Sequence, residues 1–134
     1  MRQAYGTFVL VIVTMFFLFT AWSSGTAPAK FAERLGLTIA NAGGNNEIRA
    51  QYAGFFLAAA MFCAASLAGV VSRLAAFGVP VVIFGGLIGG RLASLALNRG
   101  IVGYSPTILA LYAIDALGFT LAITAMVLEK KALG

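Results

Sequence analysis

Residues 45–62 read NNEIRAQYAGFFLAAAMF. Five of the first ten side chains carry a charge or an amide, and the eight that follow are apolar enough to lie in lipid. A charge at the mouth of a membrane helix is energetically costly, so it is usually paired and is a functional candidate. The stretch therefore predicts a membrane helix whose N-terminal end carries polar residues that are candidates for a functional role.

The composition indicates an integral membrane protein. The chain is 61% hydrophobic and 10% charged, whereas a soluble domain has about a quarter charged residues. Four apolar runs, at residues 5–22, 48–71, 74–97 and 107–128, each have roughly the 20 residues needed to cross the hydrocarbon core. Backbone groups in lipid must be satisfied within the segment. We predict an all-α, integral membrane four-helix bundle that forms one transmembrane domain over residues 1–134.

The connection between the first two spans predicts a short amphipathic helix. Thr26 and Pro28 suit the start of a helix, and Gly36 suits its end. Phe31 and Leu35 fall on one side and the charged residues fall on the other, which is typical of a helix on the membrane surface.

Residue types exclude several kinds of site. Cys63 is the single cysteine and histidine is absent, so an intramolecular disulfide and the common metal sites are excluded. We expect no metal and no cofactor. The basic residues are scattered and flank the membrane segments, which argues against a nucleic-acid partner.

Four glycines in the third span predict helix packing. Gly85, Gly86, Gly89 and Gly90 form two overlapping small-xxx-small pairs. Such pairs let a neighbouring membrane helix approach closely.

The polar residues are expected to gather in one half of the bilayer. Asn45 or Asn46 is predicted to cap the second span, with Glu47 in its first turn. The third span returns to this side and the fourth leaves from it. Asp115 then lies about 13 Å deep at about 1.5 Å per residue, at a depth comparable with that of Arg91.

We expect Arg91 to meet Asp115, and Glu47 to pair with Arg49 or Arg91. The predicted polar pocket comprises Asn46, Glu47, Arg49, Tyr52, Arg91, Tyr112 and Asp115.

Three interpretations of these residues are open. They can form a structural ion-pair cluster that fixes the register of the helices, a pocket for a small amphipathic or anionic molecule, or a proton or ion path. The sequence assigns no catalytic residue.

The chain resembles a bacterial membrane family known as domain of unknown function forty-three forty-five, a distant relative of DoxX-type proteins. The resemblance is carried by residues 46–50 and 52–54, by Gly90-Arg91 with Gly100 downstream, and by an acidic residue in the last span. It covers nearly the whole chain. The family usually has glycine where Ala53 stands and glutamate where Asp115 stands. The resemblance implies a four-helix fold and a set of polar positions, and no activity.

These observations favour a small binding or accessory subunit that contacts membrane lipid, a larger membrane complex or a second copy of itself. The alternative is a membrane enzyme or redox helper with a polar pocket for a lipophilic substrate. We expect a bacterial inner-membrane location with both termini in the cytoplasm, because basic residues slightly favour that side.

Overall fold

The computed structural model describes residues 2–133, which form five helices and no strand. Four of these helices are long and apolar enough to cross a membrane, which confirms the four predicted spans. The helices are α1 (Arg2–Thr26), α2 (Pro28–Arg34), α3 (Ala42–Leu67), α4 (Arg73–Leu97) and α5 (Pro106–Leu133).

The long helices form an antiparallel bundle, as short connections require. Helix α1 packs against α3 and α5, and α4 packs most extensively against α5. The chain order places α2 at one end of the bundle, beside the starts of α3 and α5 and the end of α4. We call this the α2 end and the opposite one the terminal end.

Aromatic rings fill the centre of the bundle. Phe17 is fully buried, and its ring centroid lies 5.3 Å from that of Phe56 and 5.7 Å from that of Phe84. Because lipid tails are as apolar as these side chains, close packing rather than removal from water holds the helices together. Each aromatic pair contributes about 0.5–1.5 kcal/mol beyond its buried area, so Phe17 ties α1 to α3 and α4.

Two glycines allow α4 and α5 to pack closely. A Cβ added at Gly118 would lie 2.6 Å from Phe84 Cε2, and one at Gly85 would lie 3.1 Å from Phe119 Cε2. Each glycine therefore leaves room for a phenylalanine of the other helix. Gly118 was not predicted from the sequence.

At three of the four positions, the glycines of α4 make no close contact with another helix of the described chain. A Cβ added at Gly86, Gly89 or Gly90 would meet no atom within 4 Å among the described residues. Toward the α2 end, the long side chains of Arg91 and Tyr112 join α4 to α5, so the backbones do not need to touch there.

Arg73 joins three helices at the terminal end. Its guanidinium donates to Thr7 Oγ1 at 3.0 Å and to the Gln3 carbonyl at 3.1 Å, and Glu129 Oε2 lies 3.3 Å from Nε. Gly6 leaves space for the guanidinium, because an added Cβ would overlap with Arg73 Nη2. This cluster closes the terminal end of the bundle.

The predicted start of the second span is also wrong. Helix α3 begins at Ala42, and its cap is Asn41, whose side chain accepts a hydrogen bond from the Gly44 amide at 3.1 Å. With this cap, Gly43 and Gly44 lie in the first turn of the helix. Neither Asn45 nor Asn46 is the cap, and Glu47 lies beyond the first turn.

The short helix before α3 is present, although Thr26 does not cap it. The Thr26 hydroxyl donates to the Trp22 carbonyl at 2.7 Å, because α1 continues to Thr26. Gly36 follows the end of α2 with a φ of +76°, the left-handed conformation that glycine adopts easily.

The close packing of Gly118 predicts a difference between two alanine substitutions. Gly118→Ala should destabilise the protein by about 1–3 kcal/mol, because the added methyl group overlaps with the Phe84 ring. Gly89→Ala, which adds the same group in open space on α4, should be neutral or stabilising. Thermal unfolding in one detergent measures both, and equal effects would contradict this packing.

Candidate functional site

Two neighbouring cavities lie at the α2 end. The polar compartment, of about 550 Å³, is lined by hydroxyl groups of Ser94, Tyr104, Ser105 and Tyr112, beside Arg91. The apolar compartment, of about 410 Å³, is lined mainly by aromatic and aliphatic side chains of α1, α2, α3 and α5. Both volumes are typical of small-molecule sites.

Charged groups stand in the wall of the apolar compartment. Asp115 and Arg91 line it from α5 and α4, and Arg34 lines it from α2. Its apolar lining includes Phe16, Phe19, Phe31, Phe56, Leu111 and Ile114. The compartment therefore combines an apolar lining with a few polar groups, as binding pockets for small molecules do.

The predicted ion pair between α4 and α5 is present. Arg91 Nε donates to Asp115 Oδ2 at 2.6 Å, and Asp115 is 1% exposed. A carboxylate at this depth needs a cationic partner to remain charged. The pair therefore fixes the rotation of both helices.

Two tyrosines extend this polar group. Tyr112 donates from its hydroxyl to the Arg91 carbonyl at 2.9 Å, and its ring centroid lies 5.6 Å from Arg91 Cζ. In the loop after α4, the Tyr104 hydroxyl lies 3.3 Å from Ser94 Oγ. The hydrogen bond with Ser94 lowers the pKa of Tyr104, because it stabilises the phenolate.

The two compartments share a wall. Arg91 and Tyr52 belong to the linings of both, together with three aliphatic side chains, Leu35, Leu87 and Ile108. The only side-chain hydrogen bond of Arg91 to residues 2–133 is the one from Nε to Asp115. Its terminal nitrogens are therefore available to a bound molecule.

A π-helical segment in α3 places Tyr52 in this wall. Residues Arg49–Gly54 form the segment, and such segments are frequent at functional sites. The ring centroid of Tyr52 lies 5.0 Å from that of Phe31 in α2 and 6.4 Å from that of Phe56. Helix α2 thus rests on Tyr52 and covers the apolar compartment.

Three of the predicted pocket residues lie elsewhere. Asn46, Glu47 and Arg49 are exposed and line neither compartment. Glu47 Oε2 accepts from Gln51 at 3.0 Å, and Arg49 Nε donates to the Gly25 carbonyl at 3.3 Å.

The rotation of α3 explains why these three residues lie outside the compartments. Ile48 and Phe56, which are buried, and the half-buried Tyr52 repeat every fourth residue and face the bundle. Residues 46, 47 and 49 therefore fall on the outer faces, and Glu47 pairs with neither Arg49 nor Arg91 among the described residues.

Sequence reasoning missed Tyr104 and Arg34 as site residues. Tyr104 stands in the loop before the Ser105-Pro106 start of α5, and Arg34 is in the last turn of α2. The amphipathic pattern of α2 placed Arg34 on the side opposite Phe31 and Leu35, and nothing in the local sequence of the loop indicates the contact of Tyr104 with Ser94.

No group of three or more metal-binding side chains occurs within residues 2–133. No family model, curated protein or solved structure matches the chain. The resemblance to domain of unknown function forty-three forty-five thus stays a prediction.

The ion pair predicts strong coupling between its two members. Arg91→Leu should destabilise the protein by about 3–5 kcal/mol, because it strands the buried Asp115 charge. Adding Asp115→Asn should recover part of this loss. A double-mutant cycle from thermal unfolding measures the coupling, and additive effects would show that the two residues do not interact.

Proposed function

We propose that this multi-pass membrane protein is a non-catalytic binding protein of the bacterial inner membrane that holds a lipophilic molecule at its α2 end. In this role, the protein would bind a membrane lipid or serve as an accessory subunit of a larger membrane complex. The proposal concerns the two compartments and the residues between them.

One observation carries the proposal: an apolar compartment of about 410 Å³ has a buried ion pair in its wall and a short helix over it. A concave, mostly apolar cleft with a few fixed polar groups is the usual form of a ligand pocket.

The enzyme alternative has less support. A general acid or base must be free to exchange a proton with a substrate. Asp115, the single carboxylate that lines the compartments, is held by Arg91 at 2.6 Å. We therefore favour binding, and an enzymatic role stays the second hypothesis.

Association with other proteins also belongs to this proposal. Gly86, Gly89 and Gly90 leave an open strip along α4, and small residues in membrane helices favour helix association. A homo-oligomer or a larger complex is compatible with this strip.

The proposal predicts that filling the apolar compartment releases its contents. Leu111→Trp places a large side chain in the compartment, whereas Leu117→Trp makes the same change at a residue of α5 that is 60% exposed and lines neither compartment. We expect at least about tenfold less retained ligand in the first variant, a difference of about 1.4 kcal/mol.

Native mass spectrometry after purification in mild detergent measures the bound species, and a melting curve checks the fold of each variant. If the parent protein retains no small molecule from any of several lipid extracts, binding at this site is refuted.

We also propose that both termini lie in the cytoplasm. Arg2, Arg73, Lys130 and Lys131 belong to the terminal end, and Lys30, Arg34 and Arg99 belong to the α2 end, four basic residues against three. Arg91 and Arg49 are not counted because they lie inside their helices, six residues before the end of α4 and seven after the start of α3. The positive-inside rule then favours a cytoplasmic terminal end.

Cysteine labelling tests this orientation. Thr38→Cys and Lys131→Cys introduce thiols at exposed positions of opposite ends, and the native Cys63 is buried. A membrane-impermeant reagent on intact cells should label position 38 and not position 131. The reverse pattern would overturn the orientation.

A further inference from the structure

We propose that the ligand is a single-chain amphiphile with a singly charged anionic head group, recognised by Arg34 and Arg91. This inference rests on the proposed binding function and adds the chemical class of the ligand.

The charge of the apolar compartment supports an anionic head. Its lining contains two cations, Arg34 and Arg91, and one anion, Asp115, which leaves one positive charge in excess. Asp115 is paired with Arg91, and Arg34 has no ion-pair partner within residues 2–133. One anionic head would balance this excess, whereas a cationic head would be repelled.

The available donors also suit such a head. Arginine presents its donors in a planar fork that matches carboxylate, sulfonate and phosphate oxygens. The terminal nitrogens of Arg91 make no hydrogen bond within the described residues. The head can therefore bind without breaking the ion pair with Asp115.

The position of the cations agrees with the orientation of an amphiphile in a bilayer. Arg34 lies on α2, at the end of the bundle, while Phe16 lines the compartment ten residues before the end of α1. A head at Arg34 would lie toward the membrane surface, and the chain would run toward the hydrocarbon. The ligand thus keeps the orientation that it has in the lipid leaflet.

A side groove adjoins the apolar compartment on the side of α3 and α4. This groove, of about 600 Å³, lies between α3 and α4 and shares Tyr52, Phe56 and Leu87 with the apolar compartment. On the α4 side it is bordered by Val82 and by Gly86, which has no side chain. At about 410 Å³, the apolar compartment lies toward the small end of the range for ligand sites, which favours one chain over the paired chains of a membrane phospholipid.

Three probes separate head charge from chain binding. Hexadecanesulfonate has the chain and a fixed single negative charge, 1-hexadecanol has the same chain and a neutral head, and ethanesulfonate has the charge without the chain. The full chain is placed in nanodiscs of zwitterionic phosphatidylcholine. Binding of the tritiated long-chain probes is measured directly, and ethanesulfonate is tested as a competitor.

Two basic residues of α2 provide a matched pair of variants. Arg34 lines the apolar compartment, whereas Lys30, one turn earlier, does not. Arg34→Gln should weaken hexadecanesulfonate binding about tenfold or more, as expected for loss of a charge-assisted hydrogen bond. Lys30→Gln should change it less than about twofold, because Lys30 does not line the compartment. Neither variant should change the binding of 1-hexadecanol.

Arg91 is tested in the double variant Arg91→Leu/Asp115→Leu. This variant removes both charges, so neither is left buried without its partner. We expect the preference for hexadecanesulfonate over 1-hexadecanol to fall at least about tenfold in this variant. A melting curve shows whether the variant is folded, and the Arg34 comparison tests the proposal independently of it.

The outcomes distinguish this inference from the proposed function. Equal affinity for the two long-chain probes would overturn the anionic head and leave lipophile binding in place. Equal losses in the Arg34 and Lys30 variants would show a general surface-charge effect and overturn the assignment of Arg34. Displacement by ethanesulfonate as effective as by unlabelled hexadecanesulfonate would overturn the amphiphile. Binding of neither long-chain probe would count against both proposals.

Discussion

The arrangement of the α2 end depends on a buried ion pair. Asp115 is almost fully enclosed and lies among membrane helices, where an unpaired carboxylate would be strongly unfavourable. Its pairing with Arg91 at 2.6 Å fixes the rotation of α5 and the register of α4 beside it. The same register brings Tyr112 to the Arg91 carbonyl and presents the remaining guanidinium nitrogens to the cavities. In the proposed binding site, a stabilising contact and a recognition element are therefore parts of one side-chain pair.

The bundle is closed at one end and open at the other, and side-chain size explains the difference. At the terminal end, Arg73 is bound by groups of α1 and α5 in a space that Gly6 provides. In the middle, glycines of α4 and α5 accept phenylalanine rings, which holds the backbones close. Toward the α2 end, long polar side chains span the gap between helices, and the compartments fill the space that remains. The site is thus a consequence of how the helices separate.

Helix α2 and the π-helical segment of α3 complete the site. The segment directs Tyr52 toward the bundle, and Phe31 of α2 packs on its ring. These contacts are few compared with the long-helix interfaces. Elements held by few buried contacts open at low free energy. A cover of this kind over an apolar compartment suits the exchange of a ligand with the bilayer.

The sequence by itself determined the four spans, because long apolar runs in lipid must become helices. It also determined the Arg91–Asp115 pair, since alternating spans place both residues at similar depth, and the end of α2 at Gly36. It did not determine the position of Glu47, because the side to which a helical residue points depends on the rotation of the whole helix. The role of the glycines was decided by the tertiary structure. Gly85 and Gly118 meet rings of the other helix, whereas Gly86, Gly89 and Gly90 meet no atom of the described residues within 4 Å. The tertiary structure also decided the contact of Tyr104 with Ser94 and the shape of the two compartments. Both depend on the distances between helices, which are set by packing and not by local sequence.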